Sequence, residues 1–234
     1  MKLVMRLIIL SGLLIALALG GLRLAAHLRE RESRDDLLPS DGRLVATSEG
    51  RIFVTERGTI GDPSVLLIHG SVGWSAMWLP TLEALADAGY RAIALDLPPM
   101  GYSDVPPDGA YDREAQARRI LALMAALEIR PHLVAHSFGA GPASEAVMSA
   151  PDRVTSLVIV DGALPLDPGH EAQLPSVLRP LWVREVVVAA TVLNPLAGRS
   201  LVRLFLHRKE AASDALMDLL WQPATREGAT EVLA

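Results

Sequence analysis

The chain has 234 residues, half of them hydrophobic and 21% charged, with a net charge of −5 and no cysteine. That composition belongs to an ordinary globular domain of about 200 residues once an N-terminal segment is set aside. No basic stripe interleaved with aromatic residues is present, which excludes nucleic acid as a partner, and the missing cysteines exclude disulfides, thiolate catalysis and Cys-based zinc sites.

Residues 1–26 form the segment set aside. Lys2 and Arg6 precede an uncharged run, LIILSGLLIALALGGL, from Leu7 to Leu22. A membrane-spanning helix needs about 20 apolar residues, a length reached when Leu3 to Met5 are included and Arg6 snorkels toward the headgroups. The preferred reading is an uncleaved single-pass anchor over residues 3–22. A signal peptide, with Ala16-Leu17-Ala18 as a small-x-small cleavage site, and a buried helix of a soluble protein remain the alternatives. Basic residues flank the run on both sides, so loop charge assigns no orientation.

Residues 27–42, HLRERESRDDLLPSDG, are charged and turn-rich, and read as a solvated linker with the domain boundary near Pro39. Leu44–Thr47 and Arg51–Arg57 flank Ser48-Glu49-Gly50 and predict an antiparallel hairpin at a sheet edge. The pattern then changes to fully apolar strands, Val65–Ile68, Ala92–Leu95, Leu133–Ala135 and Val154–Val160. They alternate with helical segments at Met77–Ala88, Arg113–Leu127 and Ala140–Met148. Such alternation predicts an α/β fold, a mostly parallel sheet with helices on both faces, over residues 43–163. From Leu164 to Ala234 no strand is convincing. Pro175–Leu193, Pro195–Arg208 and Glu210–Trp221 read as apolar helices, a cap over the sheet.

The carboxyl ends of parallel strands are where such folds place their chemistry, and here those ends are His69-Gly70-Ser71, Asp96, His136-Ser137 and Asp161. Ser137 stands between an apolar strand and a helix that opens with Ala140-Gly141-Pro142-Ala143. Ala135 and Gly139 lie two residues before and after it. A nucleophilic serine needs a sharp strand-to-helix turn, and small residues at those two places let the backbone fold back on itself. The plain structural role for Ser137 is a helix N-cap. The turn His69-Gly70-Ser71-Val72-Gly73-Trp74 is of the sort that offers a backbone N–H to an oxyanion. Ser71 N–H is the expected donor, with Gly70 and Val72 beside it, and the N–H of Phe138 is the expected second donor. Asp96, before Pro98-Pro99, reads as a turn former and His136 as a packing residue.

In this order and spacing, HGSVGWSAMW, ALDLPPMGYSD and VAHSFGAG resemble the α/β-hydrolase superfamily, whose common forms are HG followed by a later Trp, D-x-P-G-x-G-x-S-D and GHS-x-GG. The resemblance covers Arg43 to Asp161 and departs from the pattern at Pro99 and Ala135. It implies hydrolysis of an ester, amide, lactone or C–C bond through an acyl-enzyme on Ser137. Serine in that slot argues against the dehalogenases and epoxide hydrolases, which use Asp. The family places an acid and then a histidine after later strands. The positions available for these roles are Asp161 for the acid, with a turn-forming Asp-Gly as its plain reading, and His170 or His207 for the base. The expectation is that the C-terminal strands of the fold are missing, either because the chain is a truncated product of a longer protein or because it is a degenerate relative that binds without turnover. The apolar segment from Trp182 to Leu206 suggests a small hydrophobic carbonyl substrate, or simply packs the cap. No metal or organic cofactor is implied.

Overall fold

A computed structural model describes residues 2–162 and 175–234, in two compact units, Leu37–Glu171 on the one hand and Met1–Asp36 with Ala172–Ala234 on the other.

The first unit is built on six strands, β1 (Gly42–Thr47), β2 (Gly50–Arg57), β3 (Ser64–Ile68), β4 (Arg91–Leu95), β5 (His132–His136) and β6 (Ser156–Val160), in the order β1-β2-β4-β3-β5-β6. β1 and β2 form the expected antiparallel hairpin, β2 pairs antiparallel with β4, and β3 to β6 are parallel. Helices α2 (Leu79–Asp87), α3 (Arg113–Ala126) and α4 (Ala140–Ser149) connect them. Asp112 caps α3 by accepting the Ala115 N–H at 2.8 Å.

The apolar runs are continuous because both faces of the sheet are covered. Successive side chains of a strand point to opposite faces. Leu66 and Ile68 accordingly join Ile93, Leu95, Leu133 and Ala135 in a cluster with Ile120, Leu123 and Met124 of α3 and Ala143 and Ala146 of α4. Val65 and Leu67 go the other way, with Ala92 and Ala94, onto Trp78 and Leu82 of the α2 side. β6 is different: among the described residues it pairs only with β5, and Val158 is 50% exposed.

The second unit is helical. α1 (Lys2–Arg29) is followed by α5 (Leu181–Ala190), α6 (Pro195–Phe205), α7 (Asp214–Trp221) and α8 (Ala229–Leu233). No strand follows β6 among the described residues, in line with the break in alternation after Leu164. Helix starts fall at the capping residues: Asn194 accepts from the N–H groups of Leu196 and Ala197, and Ser213 from that of Leu216.

Within the segment 27–42, α1 continues to Arg29, residues up to Asp36 belong to the helical unit, and Glu30 alone is buried. Glu30 is buried and accepts hydrogen bonds from the backbone N–H and the hydroxyl of Thr230, Glu32 bridges to Arg226, and the Glu227 N–H donates to the Glu32 carbonyl at 2.9 Å. Charge density suggested solvent, but Glu30 and Glu32 find their partners some 200 positions away, which no local pattern reveals.

The burial pattern sets an expected contrast. Leu66→Ala removes a fully buried side chain at the centre of the sheet and lowers unfolding free energy by about 2–5 kcal/mol, while Val158→Ala at the exposed edge costs well under ~1 kcal/mol; urea denaturation of both variants checks this.

Candidate functional site

In the strand order, the chain adds β4 on one side of β3 and then crosses to add β5 on the other. Open α/β sheets bind ligands at that reversal, outside the carboxyl ends of the two strands. β3 and β5 therefore mark the position, and they end in His69-Gly70 and in His136-Ser137.

Ser137 opens a 3-10 turn, Ser137–Gly139, that leads directly into α4. Its φ is 49°, in the left-handed region that an L side chain occupies only at a cost. Val72 (φ 61°) and Asp161 (φ 47°) share this conformation, so three of the four non-glycine residues with positive φ among the described ones follow a parallel strand at the same edge. For β-branched Val72 the conformation is a pronounced outlier.

Two glycines let the turns meet. A Cβ on Gly70 would lie 2.6 Å from His136 Nδ1 and 2.9 Å from Ser137 Cβ, and one on Gly139 would lie 2.6 Å from the His69 carbonyl oxygen. The backbone of the turn after β3 thus runs directly against the serine. Ser71 and Phe138 are both exposed beside this junction, and Val72 is half-buried.

The turns after β3 and β4 are tied by polar contacts in a dry environment. His69 is buried; its Nε2 accepts the Leu97 N–H at 2.8 Å, which leaves the proton on Nδ1 to be donated to the Gly70 carbonyl at 2.9 Å. Burial, which disfavours the imidazolium, pushes the His69 pKa down to about 4; the bond to Gly70 opposes this shift and the neighbouring His136 adds to it. His69 is therefore neutral near pH 7, with both ring nitrogens engaged.

Asp96, also buried, accepts the Ser75 N–H at 2.6 Å on one oxygen and the Tyr102 N–H at 2.8 Å on the other. The segment after it is sewn to β2. Ser103 donates to the Asp96 carbonyl and accepts from the Phe53 N–H, and Asp104 takes both the backbone N–H and the guanidinium of Arg51. Tyr102 packs edge-on against Trp74, with ring centroids 5.3 Å apart. Sequence reasoning identified Asp96 as a turn former but assigned nothing to Tyr102 and Ser103. Their spacing after Asp96 was visible; the groups they meet, the Phe53 N–H of β2 and the carboxylate and carbonyl oxygens of Asp96, were not.

The other expected site residues are distributed as follows. Asp161 is exposed, immediately past β6, in the same unit as Ser137. His207 belongs to the helical unit, where it is exposed just beyond α6. His170 lies outside the described residues. His136 stands edge-on to Trp78, with ring centroids 6.4 Å apart, and its Nδ1 is buried. Among the described residues, no hydrogen bond to the Ser137 hydroxyl is formed. None of the described residues form a cluster of His, Asp and Glu suited to a metal ion.

Comparison with known proteins bears on the whole arrangement. A family model for the alpha/beta hydrolase fold matches residues 63–230. A 2-hydroxymuconate semialdehyde hydrolase of Pseudomonas sp. (strain CF600) is 29% identical over 204 residues, 84% of this chain and 65% of that protein. An epoxide hydrolase of Caballeronia sordidicola is 38% identical over 111 residues, 47% of this chain and 33% of that protein. The chain thus spans less than two thirds of the length of either curated relative. Among solved structures, Cfl2 of Burkholderia cenocepacia superimposes with a TM-score of 0.62 at 27% identity, covering 82% of this chain and 68% of that one. A meta-cleavage product hydrolase, CumD, gives a TM-score of 0.65 at 25% identity, covering 82% and 67%.

Two outcomes are expected from the site. The folded state holds His69 neutral while the unfolded chain protonates it near pH 6.5, so this contribution to stability is intact above that pH and is lost as pH falls toward 4, by about 3 kcal/mol in all. Urea denaturation across pH 4–7 follows it, and in His69→Gln this part of the pH dependence disappears. Gly139→Ala drives a methyl group into the His69 carbonyl and destabilises the unit by about 1–3 kcal/mol, measured the same way.

Proposed function

The chain belongs to the α/β-hydrolase fold family, and on that premise we propose that it is a serine-nucleophile hydrolase acting on a small carbonyl compound through an acyl-enzyme on Ser137. The observation that carries this reading is the left-handed backbone of Ser137 at the strand-to-helix turn. An N-cap serine needs no such strain, since capping residues adopt ordinary extended dihedrals. Strain at a turn that projects a hydroxyl from the sheet edge is the expected mark of a nucleophile.

In this mechanism Ser137 Oγ attacks the substrate carbonyl carbon as its proton passes to a base. The Ser71 and Phe138 N–H groups stabilise the oxygen that becomes negative. The junction created by Gly70 brings the first of these loops against the serine, and the start of α4 adds the positive end of a helix dipole. Collapse of the tetrahedral intermediate returns the proton to the leaving group and leaves an ester on Ser137, which water then cleaves. His69 is unsuited to be the base, because both its nitrogens are occupied and its pKa is depressed. Asp161 and His207 are the candidates for acid and base within the described residues, and His170 is the other histidine after Ser137.

A carbonyl substrate is favoured over an epoxide by the serine itself. The similarity to the 2-hydroxymuconate semialdehyde hydrolase also extends over most of the chain, whereas that to the epoxide hydrolase is confined to about half of it. The apolar run from Trp182 to Leu206 is the sequence feature behind our choice of a hydrophobic carbonyl substrate, such as an acyl ester. We also read α1 as an uncleaved membrane anchor. It is long and apolar enough to cross a bilayer, with a mean hydropathy of 2.3. Ala16-Leu17-Ala18 lies within unbroken helix, and the last turns of the same helix are built into the helical unit.

A fluorophosphonate probe tests the reading on the full chain. The wild type is expected to label and Ser137→Ala to give no label; an unlabelled wild type overturns the hydrolase reading in favour of a binding protein without turnover. Of His170→Ala and His207→Ala, the one that removes the base is expected to slow labelling by about a hundredfold or more.

A further inference from the structure

α1 carries two kinds of surface. From Val4 to Ala18 every described side chain is exposed, whereas further along Leu19, Leu22, Arg23, Ala26 and Glu30 are half-buried or buried. Their spacing of three and four residues is one face of a helix. That face packs within the helical unit against α5, and Glu30, just past the end of α1, meets α8. Arg23 donates to Glu185 of α5 at 3.3 Å, Glu30 binds Thr230 of α8, and a small cavity is lined by Ala26, Glu30, Leu193 and Trp221.

These contacts fix how α5 lies beside α1. Glu185 is level with Arg23, and Leu193, eight residues further on, is level with Ala26 to Glu30. The two helices therefore run in the same direction, and the N-terminal end of α5 points back along α1 toward its apolar stretch. One turn before Glu185 stand Leu181 and Trp182, preceded by the short turn Ser176–Leu178. Extrapolated at 1.5 Å per residue, they fall level with Leu19 and Gly20, at the end of the run that is long enough to cross a bilayer.

The side chains at that end have no place in the protein interior. Val177 is 68% exposed, Leu181 43% and Trp182 66%, and Arg179 between them is exposed as well. Their charge background is also distinctive. From Val177 to Lys209 there are six basic residues (Arg179, Arg184, Arg199, Arg203, Arg208 and Lys209) and one acidic residue (Glu185), a net +5 in a chain whose total is −5.

We propose that the Val177–Trp182 corner is an interfacial membrane foot: it enters the headgroup and acyl boundary of the bilayer that α1 crosses, with Trp182 at headgroup depth and the arginines facing anionic lipid. An indole ring is suited to that layer because it is apolar in body and carries one N–H donor, and arginine gains there from negative lipid headgroups. The inference rests on the reading of α1 as a membrane anchor. It adds that the helical unit is held against the bilayer by a second contact, one that limits its rotation about the anchor.

The test reconstitutes the full chain in vesicles of phosphatidylcholine and phosphatidylglycerol containing lipids brominated at known acyl positions. Flotation reports the anchor and tryptophan fluorescence reports the foot. The expected result is that the protein floats and part of its emission is quenched, most strongly by the shallowest bromines, and that this part is missing in Trp182→Phe. Trp74 and Trp78 are buried in the core unit and Trp221 is half-buried in the helical unit, and all three are common to both proteins, so the difference between them isolates Trp182. Replacing phosphatidylglycerol with phosphatidylcholine is expected to reduce the quenching. A protein that floats but whose Trp182 emission is unquenched overturns the foot and leaves the anchor standing. A protein that does not float overturns the anchor reading and the foot with it.

Discussion

The sheet edge that bears Ser137 depends on one steric constraint: two main-chain segments approach more closely than any side chain permits. At Gly70 and Gly139 a single added carbon would sit 2.6 Å from a neighbouring atom, in one case a backbone carbonyl. Parallel strands fix the spacing of β3 and β5, so the turns that leave them compete for the same volume. The absence of side chains at these two points lets both turns fit, and the remaining crowding falls on Ser137, whose backbone takes a conformation that L residues avoid. The strain at the serine is thus the other side of a packing solution that begins in the sheet.

Around that constraint the polar groups divide their work. Asp96 and His69 are both buried, a costly position for groups that ionise. Each is compensated in the way its chemistry allows. The Asp96 carboxylate takes two backbone N–H groups, one from each of the segments it must hold, while His69 stays neutral and uses one nitrogen as acceptor and the other as donor. Together they fasten the turn after β3 to the turn after β4, so the loop that would offer an N–H to an oxyanion is held by groups that do no proton transfer themselves. A donor held in place before the substrate arrives is what makes electrostatic stabilisation effective, because little reorganisation remains for the reaction step.

The helical unit follows a different logic. Its interior is small and rests on alanine-sized contacts such as Ala26, Ala189 and Ala229 together with Met217 and Leu193. The last turns of α1 are part of that interior. α1 is uncharged and exposed from Ile9 to Ala18 and buried at Ala26, with the charged pair Arg23–Glu185 between these two kinds of surface and Glu30, just past its end, in a buried polar contact. Membrane association in this reading is a property of the unit as a whole, shared between α1 and the helix that runs beside it.

Local patterns carried much of this. Continuous apolar runs announced strands covered on both faces, because a strand buried on both sides has no polar alternation to display. Ser137 was legible as a nucleophile candidate because small residues at 135 and 139 leave a steric signature in the sequence itself. The hairpin, the break after Leu164 and the apolar N-terminal run were equally readable. Other features came only with the tertiary structure. That Glu30 and Glu32 are held by residues 226–230, that His69 reaches Leu97, and that Ser103 joins β2 to the Asp96 main chain are contacts between positions far apart in the chain. A charged or polar residue looks the same in sequence whether it faces water or a distant backbone N–H. Sequence by itself determined which segments could be strands, helices and a tight turn, since those choices rest on the period and size of neighbouring side chains. Only the fold decided which polar groups are buried, neutral or paired, because that depends on where the chain returns.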